Sequence, residues 1–306
     1  MGIRSLVLAL CAAAVIACGG GNNNNGDGGT GGDGNNTGDG NNTGDGSNTG
    51  DGGTVGDGPG GTCTPGAAQC NNCADDDSDG KIDGFDPECT GPLDNDESSF
   101  ATGIPGDNKD AINQDCFFDG NSGAGNDGCN QHVCCLLGAI NKTQCAARLV
   151  GLVNNPQQEG DKYEVTECFM PLGSAPVPQQ CKDVCGPLSP PGCDCFGCCT
   201  ECGINPATNM EECIDVALNP ATSPDCDSST LFDPTKCKRC TQVADCGGGD
   251  CGGSTCILCP GQDPNDLPPE CNGNPTCPVG TMPCDANGQC PEGTFCSTGC
   301  CIGIIQ

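Results

Sequence analysis

The sequence predicts a small disulfide-rich fold, in which loop-dominated modules with a few short helices follow a disordered linker. Two observations predict this class. The chain has 34 cysteines among 306 residues, whereas Leu, Ile, Val and Phe together number only 46, a fraction typical of chains that cannot fold by apolar burial alone. Disulfides that each contribute roughly 2 to 4 kcal/mol, mainly by restricting the unfolded chain, are therefore expected to replace a large core.

The N-terminal segment has the features of an export signal. Arg4 precedes an apolar run, Leu6 to Ile16, that is too short to span a bilayer. The following box, Val15-Ile16-Ala17-Cys18, resembles the cleavage site of bacterial diacylglyceryl-cysteine lipoproteins. This resemblance implies that residues 1–18 are a signal peptide and lipobox and that Cys18 carries the lipid anchor. Because Gly19 stands where the family's inner-membrane retention signal is usually Asp, it also implies an outer-membrane location, either surface-exposed or periplasmic.

The composition of residues 19–62 predicts a disordered linker. They are rich in Gly, Asn and Asp, and from Gly26 to Gly61 a Gly-Asp-Gly motif recurs every six residues. A calcium β-roll also combines Gly with Asp, but it needs a large apolar residue in every turn, and this segment offers only Val55. The linker is therefore expected to hold the folded part away from the membrane.

Beyond the linker, 32 cysteines lie between Cys63 and Cys301, and export favours their oxidation to disulfides. Their pairing cannot be read from spacing, although the adjacent pairs Cys134-Cys135 and Cys198-Cys199 must each bond to two different partners. We divide this part into a calcium-loop module at 63–100, a Cys-rich module with short helices at 101–235, and a C-terminal Cys-rich knot region at 236–306.

Two segments have helical patterns. Thr208 and Glu211 match a capping box, which predicts a helix from Asn209 to Leu218. The second segment, Gln131 to Val153, is expected to break near Asn141, which can cap a new helix.

The sharpest motif is an acidic loop that begins at Asp75. Oxygen ligands occupy positions 1, 3, 5, 9 and 12, Gly80 allows a sharp turn at position 6, and a backbone carbonyl is available at position 7, a spacing that suits a hard cation such as Ca²⁺. The predicted metal-site residues are Asp75, Asp77, Asp79, Lys81, Asp83 and Asp86.

This loop resembles those of EF-hands and, above all, of thrombospondin type 3 repeats, which combine such loops with disulfides. The resemblance implies bound calcium as the cofactor. The chain departs from the EF-hand pattern because Asp86 replaces the usual Glu and Pro87 forbids a regular exit helix. A solvated acidic turn is the alternative interpretation.

A second acidic loop offers weaker ligands. Asp119, Asn121 and Asp127 occupy positions 1, 3 and 9, but a glycine occupies position 5. We treat these three residues as a possible second metal loop, for which simple turn formation is the alternative.

Other cofactors are disfavoured. The pairs Cys237/Cys240 and Cys256/Cys259 have the spacing of a zinc ribbon, but two further cysteines lie between them, and export favours disulfides over zinc. No Cys-x-x-Cys is followed by His, so we expect no c-type haem.

The C-terminal cysteines are closely spaced, at Cys284, Cys290, Cys296, Cys300 and Cys301. This spacing resembles the cysteine knots of Dickkopf and other secreted signalling or inhibitor proteins. The resemblance implies a protein-binding module, and a stapled scaffold without such a role is the alternative.

Charge and composition exclude several functions. The net charge is −31, and nucleic acids require basic patches, so we expect no nucleic-acid partner. The chain has a single histidine, His132, and no Trp, which leaves few groups for catalysis. We expect a non-catalytic protein in which His132 lies within the second helical segment.

Taken together, signal, linker, acidic loop and cysteines resemble the cysteine-rich surface lipoproteins of Gram-negative bacteria of the myxobacterial kind. The resemblance implies a cell-envelope lipoprotein that displays a calcium-stabilised, disulfide-rich binding or adhesive module to an unknown protein or glycan partner. The alternative is an inhibitor-like or ligand-like module that binds through the C-terminal knot and has no functional calcium site.

Overall fold

A computed structural model describes residues 67–102, 110–119, 129–169, 175–284 and 290–304. All of them belong to a compact unit that spans Gly52 to Gln306. The predicted signal peptide, the anchor Cys18, the linker, and Asn121 and Asp127 of the second acidic loop lie outside the described residues.

Short helices and small antiparallel sheets are joined by loops. The helices are α1 (Val133–Leu136), α2 (Lys142–Arg148), α3 (Pro156–Lys162) and α4 (Gln179–Val184). The strands are β1 (Asn113–Gln114), β2 (Gln131–His132), β3 (Cys198–Asn205), β4 (Met210–Ala217), β5 (Met282–Pro283), β6 (Thr294–Ser297) and β7 (Cys300–Gly303). They form sheets β1-β2, β3-β4 and β5-β7-β6.

Fourteen disulfides link cysteines in the described part of the chain, which confirms the predicted fold class. The adjacent cysteines bond to different partners, as predicted. Cys134 is bonded to Cys145, and Cys135 to Cys168. Cys198 is bonded to Cys240, and Cys199 to Cys193.

The predicted helix from Asn209 to Leu218 is wrong, because the segment forms strand β4. Cys213 lies directly opposite Cys202 on β3, and a disulfide joins the two. The Thr208 hydroxyl donates to the Glu212 carboxylate at 2.8 Å instead of capping a helix. Asn209 turns the chain with a φ of 54°. A strand ladder and a cross-strand disulfide therefore override the local capping pattern.

The break predicted near Asn141 is present. The Asn141 Oδ1 atom accepts a hydrogen bond from the Gln144 N–H at 2.9 Å, and the Gln144 side chain accepts one from the Ile140 N–H at 3.1 Å. Leu149, just beyond α2, is fully buried. The segment begins as a short strand rather than a helix, and His132 is the N-cap of α1 instead of an interior residue.

The core consists of small clusters in which disulfides pack with a few large side chains. One contains Phe117, Val216, Leu218 and Leu231 together with buried cysteines of β3 and its neighbours. No helix in the described residues is long and apolar enough to cross a membrane.

A close backbone contact joins the end of the acidic loop that begins at Asp75 to the C-terminal sheet, β5-β7-β6. Gly84, in the 3₁₀ turn Asp83–Phe85, lies so near β6 that a Cβ atom there would overlap the Cys296 carbonyl. The Gly84 carbonyl also accepts a hydrogen bond from the Thr298 N–H at 2.8 Å. The end of the acidic loop is thereby fixed against residues more than 200 positions away in sequence.

Candidate metal centre

The first half of the acidic loop is organised by hydrogen bonds from its own backbone. Asp75 accepts from the Ser78 N–H at 2.6 Å and from the Gly80 N–H at 3.1 Å. Asp77 accepts from the Asp79 N–H at 3.0 Å, and Asp79 from the Lys81 N–H at 2.7 Å. Gly80 has a φ of +97°, which glycine adopts without strain. The loop therefore coils around its alternate carboxylates, as the spacing predicts.

These carboxylates form a concentration of negative charge. Partial burial raises the pKa of Asp77, and the charges of Asp79 and Asp75 raise it further. Lys81 is the only basic residue within 67–102, and its ammonium group donates to the Gly261 carbonyl at 3.2 Å. Within the described residues the three ion pairs lie elsewhere. A cation bound by these carboxylates would offset their mutual repulsion.

The carboxylates in the second half of the loop are buried. The Asp83 carboxylate is fully buried and accepts hydrogen bonds from the Asn72 N–H at 2.9 Å and the Cys73 N–H at 3.1 Å. The Asp86 carboxylate points into the interior, where it accepts from the Glu88 N–H at 2.8 Å. The structure thus brings Asp75, Asp77 and Asp79 close enough to interact, and it buries Asp83 and Asp86, whereas Asp77 and Asp79 are exposed.

Glu97, which the sequence analysis did not select, organises the loop from behind. It is fully buried, and its two carboxylate oxygens accept from the Asp83 N–H at 2.9 Å and the Asp76 N–H at 2.5 Å. Burial raises the pKa of Glu97 to about 7, although these two amides act to lower it. No spacing rule points to Glu97, because it lies outside the twelve-residue loop.

A groove lies beside the acidic loop. Its volume is about 560 Å³, and it is lined by acidic, basic and apolar side chains that include Asp79, Lys81, Glu211, Asp266, Ile204 and Phe232. The side chain of Ile204 is 63% exposed. The loop and the β3-β4 hairpin therefore share one concave surface.

The two Cys-x-x-Cys pairs are built into disulfides, in agreement with the expected oxidation. Cys237 is bonded to Cys226, and Cys240 to Cys198. Cys256 is bonded to Cys271, and Cys259 to Cys251.

The C-terminal sheet is held by three disulfides, Cys277–Cys300, Cys284–Cys296 and Cys290–Cys301. Cys277 lies outside the cysteine spacing on which the knot resemblance rests. Val279 is fully exposed and Met282 is 53% exposed, so apolar side chains are displayed on the loop and strand that this disulfide set anchors.

His132 has a structural environment. Its Nδ1 atom accepts a hydrogen bond from the Cys134 N–H at 3.1 Å, and its ring lies 4.9 Å from that of Tyr163. Burial lowers the pKa of His132. Asp119, the first residue of the second acidic loop, is buried.

We compared the chain with models of protein families, with curated proteins and with solved structures, and none of these comparisons found a match.

Proposed function

We propose that this chain is a cell-envelope lipoprotein that displays a calcium-stabilised, disulfide-rich module for binding or adhesion and has no catalytic role. One observation carries the calcium assignment. Asp75, Asp77 and Asp79 accept hydrogen bonds from backbone amides, Asp75 and Asp79 act electrostatically on Asp77, and Lys81, the only basic residue within 67–102, donates to the Gly261 carbonyl instead of to them. Hard cations such as Ca²⁺ bind carboxylate oxygens in this kind of flexible loop.

The groove beside the loop is the proposed binding surface. Asp79 belongs both to the cation-binding loop and to the groove lining, so an ordered loop presents a defined wall to a partner. Three acidic side chains in the lining, Asp79, Glu211 and Asp266, favour a partner that combines basic and apolar groups. Lipid attachment at Cys18 is the proposed means of membrane association.

The calcium assignment is tested by the melting temperature of the full oxidised chain, purified in detergent, with and without Ca²⁺. A site with a Kd of about 0.1 mM would gain roughly 1.4 kcal/mol of stability at about 1 mM Ca²⁺. The variant Asp77→Asn, Asp79→Asn should lose this gain. The matched control Asp225→Asn, Asp250→Asn removes the same charge from exposed positions and should keep it. An equal calcium response in both variants would contradict the assignment.

The C-terminal knot remains a second candidate, because Met282 on β5 and Val279 in the loop before it are exposed beside a sheet that disulfides hold. Its function would be that of an inhibitor-like or ligand-like binding module without a functional calcium site. Once a binding activity is identified, Val279→Asp with Met282→Asp should abolish it under this alternative and leave the calcium response unchanged. Loss of binding on removal of Ca²⁺, with full binding by the knot variant, would favour the groove instead.

A further inference from the structure

The interior of the compact unit contains an unusual carboxylate. Glu201 on β3 is 1% exposed, and neither of its carboxylate oxygens has a hydrogen-bond partner among the described residues. It cannot readily turn outward, because the disulfides of Cys199 and Cys202 fix the strand on both sides of it. A buried carboxylate without partners is costly unless it is neutralised or bound.

Two more unpartnered oxygens line the cavity that Glu201 faces. They are the Asp86 Oδ2 atom and the Thr298 Oγ1 atom, and both residues are buried, at 2% and 5% exposed. The cavity is small, about 10 Å³, which is room for one atom of about the size of a water molecule. Four oxygen atoms without partners therefore surround a space for a single ion.

A third buried carboxylate, Glu88, lies behind the cavity lining, close enough to act on both Asp86 and Glu201. Glu88 is 2% exposed, and its carboxylate accepts from the Ser228 N–H at 2.5 Å and the Ser228 hydroxyl at 2.8 Å. Burial raises the pKa of Glu201 well above its ordinary value, and the charge of Glu88 raises it further. Burial likewise raises the pKa of Asp86 and of Glu88.

In the part of the chain that the structure describes, no basic side chain lines the cavity. Sulfur is close, since the Sγ atoms of Cys193 and Cys199 lie within 4.8 Å of a Glu201 oxygen, but these two cysteines form a disulfide. A disulfide offers no thiolate, so the donor set consists of oxygen. Oxygen-only sites suit Ca²⁺, Mg²⁺ or Mn²⁺ rather than zinc or copper.

We propose that Asp86 and Glu201, with the Thr298 hydroxyl, form an interior site for one hard divalent cation, separate from the Asp75, Asp77 and Asp79 carboxylates. Ca²⁺ fits best, because it accepts irregular sets of carboxylate, hydroxyl and carbonyl oxygens. The ligands come from the last residue of the acidic loop, from β3 and from the turn between β6 and β7. The ion would therefore clamp three regions that are distant in sequence.

The site is tested by counting calcium ions per chain, by elemental analysis after equilibrium dialysis of the full oxidised chain. Glu201→Gln keeps the shape of the side chain and removes its charge. We expect this variant to bind one calcium ion fewer than the wild-type chain. The control Glu270→Gln, at an exposed position, should bind the wild-type number. The loop variant Asp77→Asn, Asp79→Asn should retain the interior ion, so that failure of the loop assignment and failure of this proposal give different results.

A neutral, protonated Glu201 is the competing explanation. It predicts that Glu201→Gln binds as many Ca²⁺, Mg²⁺ and Mn²⁺ ions as the wild-type chain and gains as much stability from calcium as the wild-type chain does, and that result would overturn the proposal. If Glu201→Gln does not fold, Thr298→Val removes only the hydroxyl ligand. We expect Thr298→Val to weaken the calcium affinity of the interior site severalfold, and an unchanged affinity would also overturn the proposal.

Discussion

The acidic segment 67–102 and the helical segment 129–169 are both closed by disulfides, but they treat charge in opposite ways. In the helical segment charges stay at the surface, where Lys142 pairs with Glu164 at 2.6 Å. Its interior holds Leu149 and Tyr163, whose hydroxyl donates to the Ala139 carbonyl at 2.7 Å. The acidic segment instead buries carboxylates. Disulfides can therefore support either an apolar interior or a carboxylate-lined one, and the proposed cation sites belong to the latter.

The largest effect is expected from removing one disulfide from each segment. Cys135–Cys168 closes a longer stretch of chain than Cys70–Cys89, with separations of 33 and 19 residues. Loop-closure entropy predicts losses of about 4 and about 3 kcal/mol for the respective paired Cys→Ala variants. Denaturant unfolding measures both losses.

The calcium response should separate these two variants further. The Cys89 Sγ atom lies 3.8 Å from the Glu97 Oε1 atom, and Asn72, two residues from Cys70, donates to Asp83 at 2.9 Å. Loss of Cys70–Cys89 should therefore loosen both carboxylates. We expect the added stability in calcium to fall in that variant and to persist without Cys135–Cys168. Equal calcium responses would show that the two segments do not differ as proposed.

The same contrast shows what the sequence could predict. The coiling of Asp75, Asp77 and Asp79 is local, because each carboxylate accepts from an amide two to five residues later, so spacing suffices to predict it. The burial of Glu88 and Glu201 depends on residues that are distant in sequence. Glu88 accepts a hydrogen bond from Ser228, 140 residues away, and no local pattern encodes that contact.

Secondary structure follows the same division. The break at Asn141 is encoded within four residues and is confirmed. Strand β4 depends on the pairing of Cys213 with Cys202 across the sheet, so the helix predicted from Thr208 and Glu211 is wrong. The fold class itself follows from composition, because the abundance of cysteine and the scarcity of large apolar residues leave few other ways to fold.

A smaller effect is expected from pH, with opposite signs in the two segments. Burial raises the pKa of Asp94 to about 7, and the charge of Asp96 adds to this, although amides and a hydroxyl act to lower it. The folded state then binds a proton more tightly than the unfolded state. The stability that Asp94 contributes is present in full below about pH 4 and is lost as the pH rises toward 7.

His132 should act in the other direction. Burial lowers its pKa, against the charges of Glu159 and Asp110, so the unfolded state binds the proton more tightly and stability is lost as the pH falls below about 6.5. Asp94→Asn should remove the loss of stability that occurs when the pH is raised. His132→Asn keeps an N-cap acceptor and should remove the loss of stability that occurs when the pH is lowered. Melting temperatures from pH 4 to 8 measure both. If both variants change the profile in the same direction, the contrast between the segments fails.

The smallest effects concern the two capping patterns. Asn141→Ala removes the acceptor for the Gln144 N–H and should cost about 1 kcal/mol, as is usual for loss of an N-cap. Thr208→Ala removes an exposed hydrogen bond to Glu212 within a strand turn and should cost only a few tenths of a kcal/mol, because water replaces that partner. Equilibrium unfolding of both variants at one pH and calcium concentration measures the difference. Equal losses would mean that Thr208 stabilises the hairpin as strongly as Asn141 stabilises α2, and that its capping pattern has a structural role in the strand as well.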